Sequence, residues 1–493
     1  MSAEWRRGQL KAFKRMITEC EKELCEAMHA DLHKSHFEGF ATELMLVHSE
    51  VDTALDELDE WMKPTKKGNS ALNVPGWATT QRDPLGVCLI MGAWNYPVQL
   101  QLAPLVGCIA GGNCAILKPG SYAQATSNAI ARVVKRYMDP ACFQVIEGNR
   151  ETTNALLAEK FDLVFFTGSA FVGKIVARAC AEHLTPCVLE LGGKSPCIVD
   201  KSANLAHTAK RLVWAKFLNA GQTCVANDFL MVHEDIADQL LEAVQRTIIE
   251  FYSSDASKTE WFGRLINDAA YKRLAKLVAG ERDRIVIGGD VKAEERFIAP
   301  TVFDFKNDFE AFKSSELMAD ELFGPLLPVY RYRDLEQVIE FIKDLPTGKP
   351  LALYAYGTDS RFIAQIKTRT TSGGLCINDS LMHLANHELP FGGVGNSGMG
   401  GGYHGKYSFD RFTHEKAVLE KVPALDESIL SKPLLDTRFP PYNNFKKQVV
   451  RSTAAHFLSK AVNMPLPALR FLAKVLVAYI LLTRVAGYRI VRD

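Results

Sequence analysis

The chain lacks any Cys-x-x-Cys pair, although its 493 residues include eleven cysteines. An odd, scattered set of thiols argues against a disulfide framework and against a structural zinc site, and no metal is expected. A reducing, intracellular compartment follows. Met1 to Glu26 is rich in charge and has no apolar stretch, so no secretory signal peptide is read there. The net charge is only +1, which leaves no basic surplus for binding nucleic acid. There is no internal repeat. What remains is ordinary globular composition, 47% hydrophobic and 23% charged.

The near-neutral total hides an asymmetry. Arg438 to Asp493 holds ten Lys or Arg and one Asp, so the rest of the chain is net acidic. A basic tail on an acidic body predicts a partner surface carrying anions, such as lipid head groups. Within that tail Leu466 to Thr483 is mostly apolar over 18 residues, near the lower limit for a membrane span. Arg470, Lys474 and Arg484 fall within roughly 80° of one another at 100° per residue. One basic stripe suits a helix lying in the membrane interface. A true span and a helix packed on the protein body are the alternatives.

Upstream, residues 8–62 read as helical, with Leu44, Val47, Val51, Leu55 and Leu58 at helical spacing. Pro64 to Gly76 is turn-rich. Val87 to Met91 then reads as a buried strand, and strand-like and helix-like segments alternate after it. Ala115–Leu117 precedes a helix over Ala123–Tyr137, and Phe161–Phe166 precedes one over Phe171–His183. Cys187–Leu189 and Cys197–Val199 are short and apolar. Alternation of this kind predicts βαβ units and a parallel sheet.

Two glycine loops call for a choice. Gly168-Ser169-Ala170-Phe171-Val172-Gly173-Lys174 sits between a strand and a helix, where glycine admits phosphate close to the backbone. Ile175 stands where a P-loop needs Ser or Thr for magnesium, which leaves a P-loop NTPase a near miss. Gly393-Val394-Gly395-Asn396-Ser397-Gly398 matches a dinucleotide fingerprint but runs into more glycine instead of a helix, so it is set aside. Close helix–strand packing is the alternative reading of Gly168 and Gly173.

Four further segments carry chemistry. Asn219-Ala220-Gly221-Gln222-Thr223-Cys224 ends in a cysteine, and Glu190-Leu191-Gly192-Gly193-Lys194 opens with a carboxylate. Gly92-Ala93-Trp94-Asn95-Tyr96-Pro97 places a carboxamide after a strand, and Glu321-Leu322-Phe323-Gly324-Pro325 places a carboxylate before an aromatic. Taken singly, Cys224 could be an inert buried thiol, Glu190 a helix cap, Asn95 a turn former and Glu321 a solvated side chain. A nucleophilic cysteine would need electropositive surroundings.

In this order the segments resemble the aldehyde dehydrogenase superfamily, from about Ala41 to Lys416. Glu38–His48 and the run Leu389–Gly400, continuing to Tyr403–Lys406, are most similar to its class 3 branch, which includes the fatty aldehyde dehydrogenases. The resemblance implies an α/β fold with a Rossmann-like NAD(P)-binding domain (1–66 and 85–193), an α/β catalytic domain (194–373) and β bridging or oligomerisation segments (67–84 and 374–422). Beyond them comes the basic tail, 423–493, with its apolar helix at about 466–483.

It further implies Cys224 as nucleophile, Glu190 as general base and Asn95 as oxyanion donor. Lys118, Gly168, Ser169, Gly173, Glu321 and Phe323 would hold the cofactor, and Tyr96 and Phe391 would border the substrate. The implied reaction oxidises aliphatic, medium- to long-chain aldehydes to acids through a cysteine thioester. An acyl-CoA or acyl-phosphate reductase, or a structural protein without activity, are the alternatives. The implied assembly is a homodimer, attached to a membrane by its tail and facing the cytosol, with the endoplasmic reticulum favoured by the family. Where the family often reads Lys-Pro-Ser-Glu, this chain has Lys118-Pro119-Gly120-Ser121. The missing carboxylate weakens exclusion of a 2′-phosphate, so NAD is expected and NADP is admitted.

Overall fold

The computed structural model describes residues 1–69, 73, 76–421, 439–444 and 446–447. The expected apolar helix at 466–483, and most of the tail around it, lies outside the described residues. Among the described residues no helix is long and apolar enough to cross a membrane.

The chain forms two units, Met1–Trp61 with Pro84–His414, and Met62–Asp83 with Glu415 onward. The second carries a three-stranded sheet from Thr65–Lys67, Gly76–Pro84 and Thr413–Lys421. The strand Thr65–Lys67 falls where composition suggested only turns. Its residues pair antiparallel with Ala78–Thr80, and that pairing is invisible to local composition.

The first unit opens with helices. Ser2 caps Ala3–Glu19 by accepting from the Trp5 amide, and Leu10, Phe13, Met16 and Ile17 form its buried stripe. Met45–Met62 buries Val47, Val51, Ala54, Leu58 and Trp61, so Ala54 takes the inward place expected of Leu55.

Two sheets follow. The first has six strands in the order Gly398–Met399, Cys187–Glu190, Leu163–Thr167, Val87–Met91, Cys114–Lys118, Phe143–Val145. All its pairings are parallel except that of the Gly398 strand. The Val87 strand is therefore the switch point, with later strands added on both sides. In a doubly wound sheet, ligands bind in the crevice at the carboxyl ends of the strands beside that point. Asn95, Lys118, Gly168 and Glu190 all lie at those ends.

The second sheet has seven strands in the order Ile285–Ile287, Thr301–Asp304, Leu326–Tyr332, Phe229–His233, Pro196–Val199, Ala352–Tyr356, Gly374–Ile377. It is parallel except at the Ile285 edge. Ile198, Phe229, Phe303, Phe312 and Leu326 belong to its main apolar core. Only five residues, Leu191 to Ser195, separate the last parallel strand of the first sheet from the first strand of the second. Glu190 thus stands where the chain passes from one sheet to the other.

Candidate active site

Helix Leu205–Phe217 ends just before the cysteine loop. Asn219, Ala220 and Gly221 then adopt positive φ values of 53°, 52° and 75°. Two consecutive non-glycine residues in that region store strain, so surrounding bonds must hold them. The Asn219 amide donates to Glu38 Oε1 at 2.9 Å, and its carboxamide donates to the Asn95 carbonyl at 2.8 Å. Gln222 locks the other side, donating to the Asn219 and Arg264 carbonyls, both at 3.0 Å. A Cβ on Gly221 would lie 2.3 Å from the Gly324 carbonyl oxygen, so only glycine fits between the two motifs.

Asn95 is buried, and its Nδ2 donates to the Gln222 carbonyl at 3.0 Å. The Tyr96 hydroxyl lies 2.7 Å from Thr223 Oγ1. These bonds join the Asn95 loop to the two residues before Cys224. Cys224 itself is half-buried, and its thiol is pushed up to about 12, by burial first and then by Glu321 and Glu190. The backbone N–H groups of Cys224 and Val225 act in the opposite direction. Apolar walls and two carboxyl groups thus hold a neutral thiol, not the electropositive setting expected for this cysteine.

Glu190 ends its strand with a buried carboxyl whose Oε2 has no hydrogen-bond partner, so it caps no helix. Burial raises its pKa well above the ordinary range, against smaller lowering effects from the Gly393 amide and Arg411. The loop Gly393–Gly398 leads into a short strand that pairs Gly398 with Glu190, so its glycines shape the wall beside this carboxyl. The Glu321 carboxyl is not solvated either. Its Oε1 is buried without a partner, and burial followed by Asp228 raises its pKa. Phe323, with φ of 48°, meets Trp94 edge to face at 5.3 Å.

On the other flank, Ser169 caps helix Ala170–His183, accepting from the Val172 amide at 3.4 Å. The Gly168 amide donates to the Glu190 carbonyl at 3.0 Å, fixing this junction beside Glu190. A Cβ on Gly173 would lie 2.6 Å from Leu191 Cδ2, so close packing does constrain that glycine. Lys118 is buried, with its ammonium donating to the Pro119 carbonyl at 2.8 Å, and burial lowers its pKa. The orphaned oxygens of Glu190, Glu321 and Thr167, with this ammonium and the N-terminal end of helix Ala170–His183, fit the hydroxyls and phosphates of a dinucleotide.

Cys224, Tyr96 and Phe391 share the wall of one cavity of about 540 Å³, lined mainly by apolar side chains. His404 also borders it, and composition did not single that residue out. His404 and His387 each turn Nδ1 to Glu50 Oε1, while Glu50 Oε2 accepts from the Gly405 amide at 2.9 Å. These are the three potential ligand atoms that lie within 4.8 Å of one another among the described residues. The two imidazoles hydrogen-bond to one carboxylate oxygen, which accounts for the cluster as a structural clasp. Lys34, Glu38 and Glu43 also went unread, since nothing local distinguishes them from solvated charges on an amphipathic helix.

A thiol between buried carboxyls, at the carboxyl ends of strands that suit a dinucleotide, is a setting for acyl chemistry coupled to hydride transfer. Comparison with known proteins agrees: residues 1–418 match the aldehyde dehydrogenase family, and the chain belongs to it. It is an NAD(P)-dependent oxidoreductase acting on aldehydes. Among its relatives, aldehyde dehydrogenase family 3 member B1 of Mus musculus is 42% identical over 449 residues, 91% of this chain and 92% of that protein. The dimeric NADP-preferring aldehyde dehydrogenase of Canis lupus familiaris is 39% identical over 438 residues, 89% of this chain and 93% of that one. The solved substrate-bound AldH of Staphylococcus aureus aligns with a TM-score of 0.86 at 40% identity, covering 91% of this chain and 94% of the other.

Proposed function

We propose that the enzyme oxidises medium- to long-chain aliphatic aldehydes to carboxylic acids through a thioester on Cys224. The observation that supports this reading is the position of Cys224 in a cavity of about 540 Å³, walled by Phe37, Leu46, Leu100, Trp214, Phe251 and Trp261. An alkyl chain lying there leaves water, at about 0.8 kcal/mol per methylene.

The Cys224 thiol, held neutral at rest, first gives up its proton to water; the thiolate then attacks the carbonyl carbon, forming a C–S bond and an alkoxide. The Asn95 carboxamide and the Cys224 backbone N–H stabilise that oxygen, and removing one such donor typically costs about 3–4 kcal/mol. The bound cofactor supplies the acceptor for the hydride that leaves this carbon as the thioester forms. Glu190 then takes a proton from water, whose oxygen adds to the thioester carbon and expels the Cys224 sulfur, releasing the acid. A pKa raised by burial makes Glu190 a stronger base once ionised. Lys118 would hold the adenosine ribose, Gly168, Ser169 and Gly173 would lie along the pyrophosphate, and Glu321 would hold the nicotinamide ribose with Phe323 beside it. Tyr96 and Phe391 flank the substrate. NAD is the cofactor of first choice, and Ser121 leaves room for NADP.

A series of straight-chain aldehydes tests the substrate. Burial at 0.8 kcal/mol per methylene predicts kcat/KM rising about fourfold per carbon until the cavity is filled. A flat series, or a preference for acetaldehyde, rejects the fatty substrate. The same reading makes the enzyme a homodimer on the cytosolic face of a membrane, the endoplasmic reticulum by family resemblance. It is supported by the dimeric dog relative and by the basic, apolar tail. Flotation of the full chain with anionic vesicles, but not of a chain ending near Phe439, is the expected result; a soluble full chain at low and high salt rejects it.

A further inference from the structure

We propose that Lys34 and Glu43, a fully buried ion pair outside the catalytic motifs, are positioning residues for the oxyanion donor Asn95. Lys34 Nζ lies 2.6 Å from Glu43 Oε1, and both side chains have no solvent exposure. The same ammonium donates to the Asn95 carbonyl at 3.0 Å and stands 3.9 Å from the Tyr96 ring centroid. Glu43 grips the far end of the segment, its Oε2 accepting from the Val98 and Gln99 amides at 2.8 and 3.0 Å. One charge pair thus holds both ends of Asn95–Gln99, at the entrance to helix Gln99–Gly111.

The arrangement has a use that packing alone does not explain. A buried ion pair gains little over an apolar pair of the same shape, because desolvation offsets the attraction. What it adds here is direction. Asn95 can serve an alkoxide only if its carboxamide stays aimed beside Cys224, and oxyanion donors act through geometry fixed before the reaction. The Asn95 side chain is bonded to the Gln222 carbonyl, and its own carbonyl is bonded to Lys34 and Asn219. Loss of the ammonium removes one of the two donors that stop the Asn95 peptide from rotating. It also leaves Glu43 as an unpaired buried carboxylate pulling on Val98 and Gln99 alone.

The inference rests on the reading of Asn95 as oxyanion donor, and a double-mutant cycle separates the two. Asn95→Ala is expected to lower kcat and kcat/KM together by about 100- to 1000-fold with KM unchanged, the signature of a contact made in the transition state. Lys34→Met should lower both by at least tenfold, again with KM and NADH affinity, read by fluorescence titration, unchanged. In the Asn95→Ala background Lys34→Met should cost less than twofold, because the donor it positions is already gone. Equal losses in both backgrounds mean a general structural role and overturn the proposal. Full activity of Asn95→Ala overturns the donor reading, and the positioning role falls with it. If Lys34→Met yields no folded protein, Glu43→Gln carries the same cycle, since it keeps an oxygen for Val98 and Gln99 while removing the charge on which Lys34 is held.

Discussion

The proposed mechanism makes Cys224 a latent nucleophile, whose reactivity in the absence of cofactor follows from the position of its thiol. Its thiol stands at about 12 against an ordinary 9.0. At pH 7.5 that displacement reduces the thiolate population about a thousandfold relative to an unperturbed cysteine. A more basic thiolate is also a better nucleophile, with a Brønsted coefficient of about 0.4–0.5, which returns roughly 20-fold. The net expectation is alkylation by iodoacetamide about 50-fold slower than that of a small free thiol. The rate, followed by mass spectrometry of the Cys224 peptide, should rise about tenfold per pH unit without levelling off by pH 10. Burial is the first cause of the shift and Glu321 the second, ahead of Glu190. Glu321→Gln should therefore accelerate alkylation more than Glu190→Gln does. Because burial raises both carboxyls, the acceleration should appear only at the higher pH values where they ionise. Alkylation as fast as glutathione at pH 7.5, with a plateau below pH 9, would refute this account and return Cys224 to a standing thiolate.

Two further outcomes follow from the buried carboxylates. Glu190→Gln should still release about one NADH per site in a burst and then turn over slowly, in a stopped-flow trace at 340 nm; equal loss of burst and steady state would place Glu190 before acylation. Glu50 is shifted the other way. Burial alone would raise it, but His404 and His387 bring it down to about 2 from 4.5. A depressed carboxylate stabilises the fold above its ordinary pKa and loses that contribution as pH falls towards 2. Glu50→Gln should thus cost about 3 kcal/mol in denaturant unfolding at pH 7 and progressively less below pH 4.5; the same loss at pH 7 and pH 3 would show that the charge plays no part.

Much of the fold could be read locally because its signals are local. The run Val87–Met91 is a strand over the expected residues, and the helix expected over Phe171–His183 begins one residue earlier, at Ala170. Both are fixed by apolar runs and by cap chemistry within a few positions. The site was legible differently. Asn95, Glu190, Cys224 and Glu321 came from ordered motifs, not from any periodicity that brings them together. Asn95 and Gln222 bond across 127 residues, and Gly405 reaches Glu50 across 355, separations over which helical and strand spacing carry no information.

The unread residues share a physical cause. Glu38, Glu43 and Glu50 lie on helical sequence dense in charge, and Lys34 lies in the short break between helices Glu21–Leu32 and His36–Gly39, where the ordinary inference is a solvated charge. Each is buried in the fold, and each meets backbone groups of a distant loop. Glu38 holds the Asn219 amide, Glu43 the Val98 and Gln99 amides, and Glu50 the Gly405 amide. Each of these loops contains or borders a residue of positive φ or a bend that a regular element does not stabilise by itself. A buried carboxylate does so because it accepts backbone N–H groups and is costly to leave unbonded. The N-terminal helices therefore do more than cover the first sheet. They carry the acceptors that hold the Asn95, Asn219 and His404 loops in place around the cavity. A substitution among these charges should alter turnover before it alters cofactor binding, because the loops they hold border Cys224, while the Gly168–Gly173 junction is held by its own cap.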